Sequence, residues 1–331
     1  MKEPNRTESN QNELNQIVEK LLDAKQVAVF THLNPDGDAL GSAFASKAVL
    51  EAAGIPAEVW LLEEVPEKFS YLDSGCRIWQ EGATTEADTA LSVDCAVANR
   101  LGKLASLYLS VPTKLCIDHH LSSEPFGDIT YRRAEAAANA ELIYEMAKKM
   151  LPELPMAARI AIYTGLSTDT GHFKYSNVTE NTFLTAAGLM REGLDARSIT
   201  RRLYDMVKPE KYRFLGAAAE RVEFYAEGRI AVLRCPNAFI DEYNLKHEDI
   251  EELPNMACGF DGVLLSILVK DNVENGLKYS LRGREVLNLS ELAEHFGGGG
   301  HKNAAAFVSQ EGCDTVIAKL VKIAEEELEH V

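Results

Sequence analysis

The sequence has no apolar run near the roughly 18 residues that a membrane-spanning helix needs, and Met1 to Asn15 is polar, without the apolar core of a secretory signal. A membrane protein or a secreted one is therefore not expected, and the expected compartment is the cytoplasm. The sequon Asn5-Arg6-Thr7 carries no meaning without secretion. Basic residues are in deficit: 34 Lys+Arg stand against 51 Asp+Glu, a formal charge of −17. Wrapping of long duplex nucleic acid, which needs a basic surface, is disfavoured, whereas a small anion held locally is compatible. Cys76, Cys95, Cys116, Cys235, Cys258 and Cys313 are widely spaced with no Cys-x-x-Cys pair, so they read as buried free thiols and not as a disulfide framework or a zinc site. There is no internal repeat, and no low-complexity tract beyond Gly297-Gly298-Gly299-Gly300.

What is present is globular. Hydrophobic residues at 46% and charged residues at 26% are ordinary values, and 331 residues suffice for two domains with separate cores. From Val27 the run Val-Ala-Val-Phe-Thr-His reads as a strand, broken at Asn34-Pro35-Asp36-Gly37-Asp38 before an Ala-rich helix from Ala39 to Ala53. Strands follow at Ala57 to Leu62, Thr89 to Asp94 and Lys114 to Asp118, with helices at Val97 to Ala105, Ala134 to Met150 and Met156 to Gly165. This alternation predicts an α/β domain, a mainly parallel sheet flanked by helices, over residues 1–195. Ser167 to Gly171 reads as a loop and Glu180 to Glu192 as a helix. A charged helical linker is expected over 196–228, then a smaller α/β domain over 229–331. That domain offers strands at Arg229 to Arg234, Gly262 to Lys270 and Leu277 to Arg282, and a helix at Ser290 to Phe296.

The ends of the apolar runs carry His32, Asp36, Asp38, Asp94, Asp118, His119, His120 and Asp169. Each is a potential metal ligand, and the carboxyl ends of strands in an open parallel sheet face a common crevice. Histidine mixed with carboxylate suits Mn²⁺ or Mg²⁺, and a pair of such ions can clamp both oxygens of an in-line phosphoryl displacement. Taken singly the segments are weaker. Asn-Pro-Asp-Gly-Asp is ordinary turn composition, a carboxylate ending a strand is more often a helix cap, and Ser167 to Gly171 could be a capped turn. Two adjacent histidines after a buried strand are the more specific signal, because their desolvation is costly unless something binds them.

In their order, the motifs His32-Leu33-Asn34-Pro35-Asp36-Gly37-Asp38-Ala39-Leu40-Gly41-Ser42, Asp94, Asp118-His119-His120 and Asp169-Thr170-Gly171 resemble those of the DHH phosphoesterases, in particular the subfamily with a C-terminal DHHA1 domain. Chain size and Gly297 to Ala305 look most like the branch that degrades very short oligoribonucleotides (nanoRNases) and dephosphorylates 3′-phosphoadenosine 5′-phosphate (pAp). The resemblance implies two divalent ions, Mn²⁺ first with Mg²⁺ or Co²⁺ as alternatives. One would be held by His32, Asp36 and Asp94, the other by Asp38, Asp94, His119 and Asp169, with Asp94 shared. It further implies that His120 faces the scissile phosphate and that Asp118 accepts from a histidine ring N–H.

The active site would lie in the cleft between domains. Four glycines let backbone N–H groups approach an anion, although a flexible linker would explain them equally well. By resemblance, Arg282, Gly298, Gly299, Gly300, His301 and Lys302 would hold substrate phosphate and nucleotide. Ala306 stands where many relatives carry glycine, which bears on substrate preference and not on hydrolysis. His172 is expected at the rim, and Phe173 and Tyr175 are expected to pack. Short oligoribonucleotides and pAp are the expected substrates; linear or cyclic dinucleotides, pyrophosphate or polyphosphate are alternatives, and a nucleotide sensor is the reading without catalysis. A homodimer is left open.

Overall fold

The computed structural model describes residues 6–120, 125–250, 253–271, 276–284 and 286–328. Two compact units, Met1–Met206 and Val207–Val331, emerge. The first contains α1 (Arg6–Leu22), β1 (Val27–Phe30), α2 (Gly37–Ala52), β2 (Ala57–Leu61), β3 (Cys76–Ile78), β4 (Thr89–Val93), α3 (Leu104–Ser110), β5 (Thr113–Asp118), β6 (Ile129–Arg132), α4 (Asn139–Met150), α5 (Met156–Asp169), α6 (Glu180–Arg191) and α7 (Ala196–Thr200). Its six strands are all parallel, in the order β3-β2-β1-β4-β5-β6.

Alternation within each strand feeds two layers. Val27, Val29, Val59, Leu91 and Leu115 enter one core with α1, α2, α4 and α5. Ala28, Phe30, Trp60 and Ala90 enter another with Leu107 and Tyr108 of α3. Burial on both faces explains why these strands read as continuous apolar runs. The chain leaves β1 toward β2 and β3, then returns to place β4 on the other side of β1, so the strand order reverses between β1 and β4. Ligands of open α/β sheets bind at the carboxyl ends of strands at such a reversal.

Helix α2 is almost wholly buried and packs tightly on α5. A Cβ at Gly41 would overlap the backbone of Ala161 and Gly165, and one at Gly165 would overlap Asp38. These glycines set the close approach that brings the start of α2 beside the end of α5.

Several expectations need correction. Strands β3 and β6 went unrecognised, and the helix expected from Ala134 begins at Asn139. The helix expected at Val97 to Ala105 is a short 3₁₀ turn, Ala98–Leu101, separated from α3 by Gly102 at φ 56°. Ser167 to Asp169 belong to α5 and not to a loop. The stretch 196–228 is split between the units. It holds α7 and a π-helical turn, Arg201–Asp205, then α8 (Pro209–Glu220) and β7 (Glu223–Tyr225) of the second unit. Phe214 and Ala218 of α8 are buried against Leu233 and Phe239, which ties that helix to the second core.

The second unit continues with β8 (Ile230–Cys235), α9 (Asn237–Asp241), α10 (Leu253–Cys258), β9 (Leu265–Asp271), β10 (Leu277–Gly283), α11 (Leu289–Glu294), β11 (Gly299–His301), β12 (Ala304–Ser309) and α12 (Cys313–Leu328). Its sheet runs β11-β12-β10-β9-β8-β7, antiparallel except for β8 with β9. Of the six cysteines, all free, Cys95, Cys116 and Cys235 are buried while Cys76, Cys258 and Cys313 are half-buried. Among the described residues no helix is long and apolar enough to cross a membrane.

Candidate metal centre

Five segments of the first unit deliver the expected side chains to one place. His32 follows β1, Asp94 follows β4, and His119 follows β5, so all three project from carboxyl ends at the strand reversal. Asp36 and Asp38 stand at the start of α2 and Asp169 is the last residue of α5. Their ligand atoms form three overlapping groups, each within 4.8 Å: His32, Asp36 and Asp94; Asp38, His119 and Asp169; Asp94, His119 and His120.

Local contacts orient each group. Asp36 caps α2 through Oδ1, which accepts from the N–H groups of Asp38 and Ala39 at 3.0 Å. Asp36 is thus a helix cap, with Oδ2 left over. His32 Nδ1 contacts the Leu33 carbonyl at 2.6 Å, which assigns the proton to Nδ1 and aims Nε2 at Asp94 Oδ2, 3.6 Å away. His119 Nδ1 similarly meets the Ala136 carbonyl at 3.2 Å. Its Nε2 lies 3.4 Å from Asp94 Oδ1, 3.7 Å from Asp169 Oδ2 and 3.9 Å from Asp38 Oδ2. His120 Nδ1 contacts Asp118 Oδ1 at 2.8 Å, leaving Nε2 as its uncommitted edge. Asp38 is deeply committed: Oδ2 accepts from Asn139 N–H at 2.6 Å and Oδ1 from Ala140 N–H at 2.9 Å.

The electrostatics are those of a site built for positive charge. Burial pushes the Asp38 carboxyl well above the ordinary carboxylate range, and the Asp94 and Asp169 charges push it further. Asp169 is pushed up to about 7, first by burial and then by Asp94 and Asp36, against the pull of His119. Burial would raise Asp94 too, but His119 and His32 overcome it and hold Asp94 below the usual range. For His119 and His32 burial disfavours the charged ring, yet Asp94 and its neighbours outweigh it and raise both. Asp94 is 2% exposed and its Oδ1 makes no hydrogen bond, although an orphaned buried carboxylate oxygen is costly. Carboxylates that repel one another, imidazole nitrogens aimed inward and an orphaned oxygen together fit a divalent cation.

The C-terminal residues lie in the second unit. No helix starts at the tetraglycine; Gly299, Gly300 and His301 form β11, paired with Ala306, Ala305 and Ala304. Two of the four glycines have a packing reason. A Cβ at Gly298 would overlap Ala306 and Phe307, and Gly300, at φ 153°, lies against Ala304 and Ala305. Arg282 is opposite Ala304, which is opposite His301, so the three share one row across β10, β12 and β11. Lys302 is exposed in the β11–β12 turn, and the His301 side chain lies outside the described residues. Back in the first unit, His172 has a left-handed backbone at φ 59°, with Nδ1 3.1 Å from Ser167 Oγ and its ring beside Tyr204.

The sequence reading missed Asn139, which is fully buried between Asp38 and Asp94. An asparagine among alanines at a helix start was the available signal. It also missed the Ala136 carbonyl that orients His119, for which backbone identity offers no signal.

A reversed parallel sheet with histidines and aspartates at its carboxyl ends defines an α/β protein equipped to hold divalent cations. The chain belongs to the DHH family: it matches the DHH family N-terminal domain over residues 26–166 and the DHHA1 domain over residues 227–330. It is 27% identical to the bifunctional oligoribonuclease and PAP phosphatase NrnA of Thermus thermophilus, covering 94% of each chain. It is 24% identical to the Bacillus subtilis protein of the same name, covering 91% of this chain and 95% of that one. An exopolyphosphatase-related protein from Bacteroides fragilis shares the fold, with a TM-score of 0.89 and 23% identity over 96% of this chain and 98% of that chain. The exonuclease RecJ bound to manganese shares it more distantly, with a TM-score of 0.54 and 15% identity over 97% and 96% of the two chains.

Proposed function

We propose that this protein is a divalent-cation-dependent phosphoesterase that hydrolyses phosphodiester bonds of very short oligoribonucleotides and removes the 3′-phosphate of pAp in the cytoplasm. The observation that carries the reading is the meeting of His32, Asp36, Asp38, Asp94, His119 and Asp169 around a buried carboxylate oxygen of Asp94 with no hydrogen bond. Near-complete coverage of relatives named for both activities supports the choice of substrates. His32, Asp36 and Asp94 would hold one ion; Asp38, Asp94, His119 and Asp169 the other, with Mn²⁺ the expected metal and Mg²⁺ or Co²⁺ as alternatives. Such ions polarise phosphate and lower the pKa of water.

The chain's own residues do the rest. Asp118, held by burial, fixes the His120 ring through Nδ1, so that Nε2, when protonated, donates to a phosphate oxygen as charge develops there. Asp38, braced by two backbone N–H groups, keeps its oxygens fixed during turnover. Arg282 and the Gly298 to Lys302 segment would bind phosphate and nucleotide.

The test is product release by metal-stripped protein with added Mn²⁺ on a diribonucleotide, a five-residue oligoribonucleotide, pAp and pyrophosphate. Turnover of the diribonucleotide and pAp supports the reading. Turnover of pyrophosphate alone overturns the substrates, and tight nucleotide binding without turnover identifies a sensor.

A further inference from the structure

Asp94 is the residue that both expected metal groups share, and it is held in an unusual way. Its backbone is left-handed at φ 53°, a region uncommon for residues with a side chain, though aspartate enters it more readily than most. Its N–H meets the Ile117 carbonyl at 3.1 Å. Beside that contact sits Asn139, the first residue of α4, fully buried. With its amide oriented so that each end finds a partner, Nδ2 donates to the Ile117 carbonyl at 3.1 Å, and Oδ1 accepts from Ser42 Oγ at 3.0 Å and from the Asp94 N–H at 3.3 Å. The Asn139 backbone N–H donates to Asp38 Oδ2 at 2.6 Å. Helix α4 has no side-chain cap of its own, since Ala138 precedes it. Its first N–H groups are satisfied by Asp38 instead.

We propose that Asn139 is the positioning residue of the metal centre: one side chain and one backbone N–H that lock the left-handed Asp94 turn and the Asp38 carboxylate to each other. Asn139 spans the end of β4, the end of β5 and the first turn of α2 through these hydrogen bonds. Only a short side chain with a donor and an acceptor completes the arrangement. Alanine loses both groups, and serine can supply one hydroxyl from a position nearer the backbone. The inference rests on the two-ion reading, and its readout is metal binding, which does not depend on which phosphate ester is cleaved.

The experiment is calorimetric titration of metal-stripped protein with Mn²⁺ for the wild type, Asn139→Ala and Asn139→Ser, with Leu142→Ala as control. Leu142 is buried on the same helix and its side chain has no polar atom with which to hold Asp94 or Asp38, so its truncation lowers the melting temperature and leaves Mn²⁺ affinity alone. Asn139→Ala is expected to weaken Mn²⁺ binding by about 10- to 100-fold, the usual effect of removing a group that orients ligands. Asn139→Ser should fall between Asn139→Ala and the wild type. Wild-type Mn²⁺ affinity in either Asn139 variant, with folding verified by circular dichroism, would overturn the proposal. A wild-type protein that binds Mn²⁺ but cleaves neither oligoribonucleotide nor pAp would overturn the substrate reading instead, while the titrations would still decide the role of Asn139.

Discussion

The two units treat charge in opposite ways. The first buries His32, Asp38, Lys47, Asp94, Asp118, Glu141 and Arg159, whereas among the described residues of the second no acidic, basic or histidine side chain is buried to that degree. Burying a charge is expensive unless something offsets it: Arg159 and Glu141 are offset by partners within the unit, whereas His32, Asp38 and Asp94 converge on the candidate metal centre. The second unit instead offers a glycine-bearing edge strand, an exposed Lys302 and the cross-strand row that contains Arg282. The difference is the basis of the proposed division of labour, in which metal chemistry would belong to the first unit and recognition to the second.

The strongest blow to that division would be struck at Asp94. Asp94→Asn should lower kcat by at least about 10³-fold, roughly 4 kcal/mol of barrier, in a turnover assay on pAp. Retention of wild-type turnover would remove the shared ligand from the scheme.

Acid should act on the same centre. Cation binding must displace the proton that Asp169 keeps up to about 7. Mn²⁺ affinity should therefore weaken below that pH by about tenfold per unit for one displaced proton. Stability of the metal-free protein should run the other way. An unfolded chain ionises Asp169 near its ordinary 3.8 while the folded chain holds the proton up to about 7, so stability falls as pH rises through that window. Asp38, also raised, adds to the fall, and His32 and His119, whose stabilisation is lost as pH rises through their raised values, extend it. Asp94, lowered, contributes stability above the ordinary carboxylate range that is lost only in stronger acid. Thermal melts of chelated protein across pH 4 to 8, alongside Mn²⁺ titrations, check both directions.

A milder change would sharpen the contrast from the other side. Arg282→Ala should raise KM about tenfold, ~1.4 kcal/mol of binding, with kcat and Mn²⁺ affinity near wild type. A fall in kcat as large as that of Asp94→Asn would erase the distinction between the units. Gly300→Ala, which strains the β11 edge within the segment proposed to bind phosphate, should raise KM by less than Arg282→Ala does. We expect a loss of ~1–3 kcal/mol in stability, seen in denaturant melts, with Mn²⁺ affinity untouched.

Much of this was legible in the sequence, for physical reasons that differ by region. Parallel strands buried on both faces leave apolar runs, so β1, β4 and β5 were readable with their terminal His32, Asp94 and Asp118-His119-His120. The short edge strand β3, half-exposed to exposed, leaves no such run. The start of α4 was unreadable because its cap, Asp38, arrives from about a hundred residues earlier in the chain. The same long-range contact hid Asn139. In the second unit the glycines suggested an anion loop, and two of them, Gly298 and Gly300, are in addition required by the packing against β12. Helix α8 looked like a linker because its charged surface outweighs the few residues, Phe214 and Ala218, that it buries.

Anomalous diffraction from crystals of the full chain grown with Mn²⁺ tests the division most directly. We expect two manganese peaks, one against His32, Asp36 and Asp94 and the other against Asp38, Asp94, His119 and Asp169. A single peak, no peak beside Asp94, or manganese held by residues of the second unit would contradict it.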